Sequence, residues 1–121
     1  MKDEGNQDLR DRTTDYGVAI VDLFVRLPKT EHARVMGRQM LRSGTSVGAQ
    51  YREGKRAKSD ADLISKLEGA LQELDETDYW LTLLRRSHCL VGVDATFVAQ
   101  ETNELTAILT SIVVKIKKRG K

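Results

Sequence analysis

Leu63, Leu67, Ala70, Leu74, Thr77, Leu81 and Leu84 step by four and three residues without a break, which puts their side chains on one stripe of an α-helix. A strand would send them to alternating faces, so about six turns of this spacing confine the segment to a helix with one buried side. Ile64, Leu71 and Leu83 lie beside the stripe and widen it, as a helix touching more than one neighbour requires.

A helix with such a face needs apolar partners, and the rest of the chain supplies three. A first helix is expected from about Asp11 to Leu27, with Val18, Val21, Phe24 and Val25 on one side and Tyr16 flanking them. Pro28 stops it, because proline lacks a backbone donor and restricts the residue before it. Thr30 then caps a second helix, Glu31 to Ala57, whose less polar positions Met36, Met40, Ser43, Val47 and Gln50 again alternate four and three. Within it Ser43, Gly44, Thr45, Ser46, Gly48 and Ala49 are weak helix formers, but small side chains let another helix approach closely. Ser59 caps the third helix, with Asp60 and Asp62 in its first turn. A turn from Leu90 to Asp94, containing Gly92, leads to a fourth helix from about Ala95 to Lys118, with Phe97, Val98, Leu105, Ile108, Leu109, Ile112, Val113 and Ile116 in helical period.

The expected fold is therefore all-α, an antiparallel up-down-up-down four-helix bundle over residues 11–118, with a polar tail at 1–10 and a basic one at 119–121. One proline and 5% aromatic residues among 121 are too few for long β structure. A single cysteine, Cys89, excludes an internal disulfide framework and fits a reducing cytoplasm. No secretory leader pattern opens the chain and no apolar run approaches the roughly 20 residues that span a bilayer, so a cytoplasmic protein is expected.

Charge is separated along the chain. From Arg26 to Lys58 nine Lys/Arg face two Glu, a local balance of +7. From Ser59 to Leu84 seven Asp/Glu face Lys66 alone, a balance of −6. Arg34, Arg38 and Arg42 step by four and continue, with drift, to Arg52, Lys55 and Arg56, and a second basic cluster holds Lys115, Lys117, Lys118 and Arg119. Such a stripe suits successive phosphates, with salt-dependent and sequence-tolerant affinity. Pairing with the acidic third helix, within or between subunits, is the alternative. The C-terminal cluster has no acidic neighbours in sequence and favours nucleic acid.

Catalytic patterns lack their context. Gly44-Thr45-Ser46-Val47-Gly48 matches G-x-S-x-G, but no strand precedes it and His88 is the one histidine that follows, so Ser46 is expected to pack rather than react. His32, His88 and Cys89 have no metal-ligating spacing, so neither metal nor cofactor is expected. Glu73 and Glu76 border the apolar seam, and pairing with groups on the second helix is expected of them ahead of acid–base chemistry. No enzyme activity is expected.

The stretch SGTSVGAQYREGKRAKSDADLISKLEGALQELDETDYWLTLL, residues 43–84, resembles the 23S ribosomal RNA intervening-sequence proteins, a family of four-helix bundles. In that family a small-residue segment leads to a motif like N-x-x-E-G, then to basic residues and an acidic helix. Glu53 and Gly54 match the motif, and Gln50 stands where the family often has Asn. The resemblance runs over about residues 10–118. It implies a homo-oligomer, a pentamer of such bundles. It also implies kinship with the accessory variability proteins of diversity-generating retroelements, basic barrel-shaped pentamers that bind nucleic acid and a reverse transcriptase. Two functions follow as expectations: an oligomeric nucleic-acid-binding accessory protein, or a protein-interaction scaffold whose oppositely charged helices pair between subunits.

Overall fold

A computed structural model describes residues 8–120. They form four helices, α1 (Leu9–Arg26), α2 (Glu31–Lys55), α3 (Asp60–Arg86) and α4 (Thr96–Arg119), and no strand among the described residues. The first helix begins two residues before the expected Asp11, because the Asp8 carboxylate accepts from the Arg10 N–H at 3.3 Å and caps it there. Expectations for residues 1–7 and 121 lie outside the described residues. No helix of the described residues is long and apolar enough to cross a membrane.

Each helix packs on its neighbours in the cyclic order α1, α2, α3, α4. The pairings fix the directions. Gly37 meets Leu27 and Gly44 meets Ile20, so α2 runs against α1. Ser43 bonds Thr77 and Glu53 bonds Lys66, so α3 runs against α2. Lys117 reaches Glu68 and Arg119 reaches Asp60, which sets α4 against α3. Arg12 reaches Glu104 and Arg26 reaches the Asp94 carbonyl, closing α4 antiparallel to α1.

The α3 stripe forms the floor of the core, with Leu67, Ala70, Leu74, Thr77, Leu81 and Leu84 all buried. On α1 the buried face differs from the expected one. Thr13, Tyr16, Ile20, Leu23 and Leu27 point inward, while Val18, Val21 and Val25 are 55%, 42% and 60% exposed. Both sets have helical spacing, and the inward set wins because it carries the larger side chains and because the Tyr16 hydroxyl finds Thr102 Oγ1 at 2.7 Å on α4. Thr102 in turn donates to the Val98 carbonyl at 2.6 Å.

The small residues of α2 set the distance to α1. A Cβ at Gly44 would lie 2.7 Å from both Cγ1 and Cδ1 of Ile20, and one at Gly37 would lie 2.7 Å from Leu27 Cδ1. Ser43 and Thr77, both fully buried, share a hydrogen bond of 2.7 Å across the α2–α3 seam, which satisfies two hydroxyls in one contact.

The end of α3 also departs from expectation. Instead of running up to the turn expected from Leu90, the helix stops at Arg86. His88 takes the left-handed conformation at φ 65°, its N–H donates to the Arg85 carbonyl, and the Cys89 N–H reaches back to Leu84 at 2.8 Å. This pair of bonds is a Schellman stop, and Cys89 is buried beneath it. At the start of α4, Asp94 Oδ1 accepts from the Thr96 N–H at 3.0 Å, so the helix begins at Thr96 rather than Ala95.

Candidate nucleic-acid interface

Arg34, Arg38, Arg42, Arg52 and Lys55 on α2, and Arg56 at its C-cap, are all exposed. At 100° per residue they keep to a sector of roughly 140°, turned away from the face that buries Ala33, Met40 and Val47. No ion pair engages any of the six among the described residues. Arg52 is positioned by a neutral partner, donating from Nη2 to Thr14 Oγ1 of α1 at 3.1 Å. Uncompensated cations on one surface raise a positive potential that attracts anions.

The acids of α3 do not cancel this surface. Asp60 holds Arg119 at 3.1 Å and Glu68 holds Lys117 at 3.0 Å, both on α4. Glu73 turns toward α2, where burial and the neighbouring Glu76 carboxylate push its carboxyl above the usual range and Arg42 offsets part of that rise. Its Oε1 is nevertheless buried without a hydrogen-bond partner. Among the described residues no hydrogen bond or salt bridge ties Glu73 or Glu76 to α2, and the bonds that cross this seam are Ser43–Thr77 and Glu53–Lys66.

The C-terminal cluster is divided by the fold. Lys117 and Arg119 are tied to α3, whereas Lys115 and Lys118 are exposed with no ion pair among the described residues. Sequence separation hid this, because Asp60 and Glu68 lie far from the cluster in the chain and meet it only through α3–α4 packing.

The remaining motif residues have structural surroundings. Ser46 sits in mid-helix, its hydroxyl donating to the Arg42 carbonyl at 2.7 Å, so the strand-to-helix turn that exposes a nucleophile is missing. Gly48 faces Thr13 of α1 at ordinary contact distance. Gln50 lies over Gly69 of α3, close enough that a Cβ there would be 2.9 Å from its Oε1. Glu53 accepts from Lys66 at 2.9 Å, and Gly54 leaves room for Leu63 and the Lys66 Cβ. Gln50, Glu53 and Gly54 thus seat the last turns of α2 on the first turns of α3. Among the described residues no cluster of His, Cys, Asp or Glu could hold a metal ion.

Arg10 is the basic residue that sequence reasoning missed. It comes from the first turn of α1 and joins Arg52, Lys55 and Arg56 around one pocket. Between α1 and α2 a second, shallower groove is floored by Gly17, Gly48 and Ala49 and edged by Val18 and Val21.

No curated protein matches the chain. Among solved structures, it is similar to a protein of unknown function from the S23 ribosomal protein family of Bacteroides thetaiotaomicron VPI-5482. The two share 39% identity over 87% of this chain and 94% of the other, with a TM-score of 0.79. The family description "23S rRNA-intervening sequence protein" matches residues 6–111, which include α1, α2, α3 and most of α4. With both the helical core and the Glu53-Gly54 seat inside that match, the chain belongs to the 23S rRNA-intervening sequence protein family.

Proposed function

We propose that this protein is a non-enzymatic, oligomeric accessory protein that binds nucleic acid through the basic face of α2. The observation that carries the reading is the row of six exposed cations along α2 and its C-cap, none of which forms a salt bridge among the described residues. Cations held for stability alone would be expected to sit opposite acids, as Lys117 and Arg119 do. Lys115 and Lys118 are exposed on α4, diagonal to α2, and offer a separate basic patch. Phosphate contacts of this kind release counterions and ignore base sequence.

A homopentamer of the bundle is the proposed assembly, supported by Val18, Val21 and Val25 of α1, which the described residues leave exposed. The resemblance to accessory variability proteins makes a reverse transcriptase the proposed protein partner, in the cytoplasm. Titrating the protein into labelled RNA and labelled DNA at two salt concentrations tests the binding. Affinity that falls steeply with salt supports it; no binding at low salt removes it.

A second reading has its own observation. Asp75, Glu76 and Asp78 on α3 form no ion pair among the described residues, so they are available to the α2 arginines of another subunit. This scaffold reading predicts that Arg38→Glu with Arg42→Glu dissociates the oligomer in light scattering. An intact oligomer counts against it.

A further inference from the structure

Arg10, Arg52, Lys55 and Arg56 line one pocket of about 120 Å³ where the first turn of α1 meets the last turn of α2. A volume of this size holds several waters, and hence a tetrahedral oxyanion. Among the described residues no acidic side chain lines this pocket. Asp8 accepts from the Arg10 N–H, Glu53 is held by Lys66, and neither these nor Asp11 lines the pocket. Because α1 begins where α2 ends, the two helix dipoles present opposite poles here and largely offset one another. The four side chains therefore set the sign of the potential, and Arg52 is already held in place by Thr14.

We propose that this pocket is a receptor for a terminal phosphate monoester, as found at the 5′ end of a nucleic-acid strand. An internal phosphodiester carries one charge and must run out of the site on both sides. A terminal phosphate carries close to two charges near neutral pH and offers three free oxygens, which match a concave ring of guanidinium and ammonium donors far better. The proposal rests on the polyanion reading of α2 and adds to it a site that distinguishes strand ends from strand interiors. Free inorganic phosphate offers the same chemistry, so the two sources are separated by competition.

Fluorescence anisotropy of the full chain with two 3′-labelled single strands of one sequence, 5′-phosphorylated and 5′-hydroxyl, is the test. The phosphorylated strand should bind about tenfold more tightly, the ratio that one charge-assisted hydrogen bond carries. Inorganic phosphate should erase that preference at concentrations that leave the hydroxyl strand bound. Arg10→Gln and, separately, Lys55→Gln should bring the ratio toward one, whereas Arg34→Gln should weaken both strands and keep the ratio. Circular dichroism of each variant establishes that its helices are intact. Equal affinity of the wild-type protein for both strands overturns the pocket while the α2 reading stands. If neither strand binds, the α2 reading fails, and calorimetric titration with inorganic pyrophosphate decides the pocket. Heat that Arg10→Gln abolishes supports it; no heat overturns it.

Discussion

Replacing Gly44 by alanine should destabilise the protein, although alanine is the better helix former. The added Cβ would stand 2.7 Å from Ile20 Cγ1, 2.7 Å from Cδ1 and 2.9 Å from Cγ2. Carbon atoms at rest sit about 3.5–4.0 Å apart, so α1 would have to retreat by roughly 1 Å. Rotating Ile20 gives no escape, because both branches of its Cβ are involved and the side chain is fully buried. Overpacking of this kind costs about 1–3 kcal/mol. The helix-propensity gain of about 1 kcal/mol offsets part of it, which leaves a net loss of up to about 2 kcal/mol.

Gly48→Ala, one turn along the same helix, is the matched comparison. Its Cβ would meet Thr13 at 3.4–3.6 Å, so it keeps the propensity gain, about 0.5–1 kcal/mol. Urea unfolding followed by circular dichroism, at one fixed protein concentration, should give midpoints displaced in opposite directions. Ile20→Ala removes every clashing atom, so its cost and that of Gly44→Ala should combine to less than their sum. A Gly44→Ala protein as stable as Gly48→Ala would refute the close-approach argument.

Three further outcomes follow, two from the α1–α4 seam and one from the α2–α3 seam. Arg12 bonds Glu101 at 2.6 Å and 2.8 Å with side chains only 17% and 9% exposed, so Arg12→Met strands a nearly buried carboxylate and should cost about 2–3 kcal/mol in urea unfolding. Lys66→Ala, which breaks the exposed pair with Glu53, should change stability by about 0.5 kcal/mol or less in the same assay. Burial pushes the Tyr16 hydroxyl from 10.0 up to about 12, with its bond to Thr102 pulling the other way. A folded-state value raised above the unfolded one stabilises fully below the unfolded value, near pH 10, and that share is lost as pH climbs through the folded value. Stability should therefore fall by about 2–3 kcal/mol between pH 10 and 12. Tyr16→Phe should flatten this decline without abolishing it, since the buried Tyr51 hydroxyl is also raised; unfolding midpoints measured across that range check it.

The α3 stripe was legible because its seven positions leave a helix no other face to bury. On α1 the same reasoning met two competing stripes, and Val18, Val21 and Val25 looked as apolar as Tyr16, Ile20 and Leu23. What decides between them is the hydroxyl of Thr102 and the gap opened by Gly44, both on other helices. The stop after Arg86 was hidden because His88, not a glycine, takes the left-handed position. The basic stripe on α2 could be read from its spacing, but whether acids cancelled it could not. That depended on α3 turning Asp60 and Glu68 toward α4. Arg10 was missed for the same reason, since antiparallel packing alone brings the start of α1 to the end of α2.

The salt dependence of binding to single-stranded nucleic acid tests the α2 interface most directly. Six phosphates neutralised by α2 predict a slope of log affinity against log salt of about −4, at about 0.7 per contact. Combining Arg34→Gln, Arg38→Gln and Arg42→Gln should halve that slope to about −2. A slope near zero, or one that the triple substitution leaves unchanged, would contradict the assignment of α2 as the phosphate-binding face.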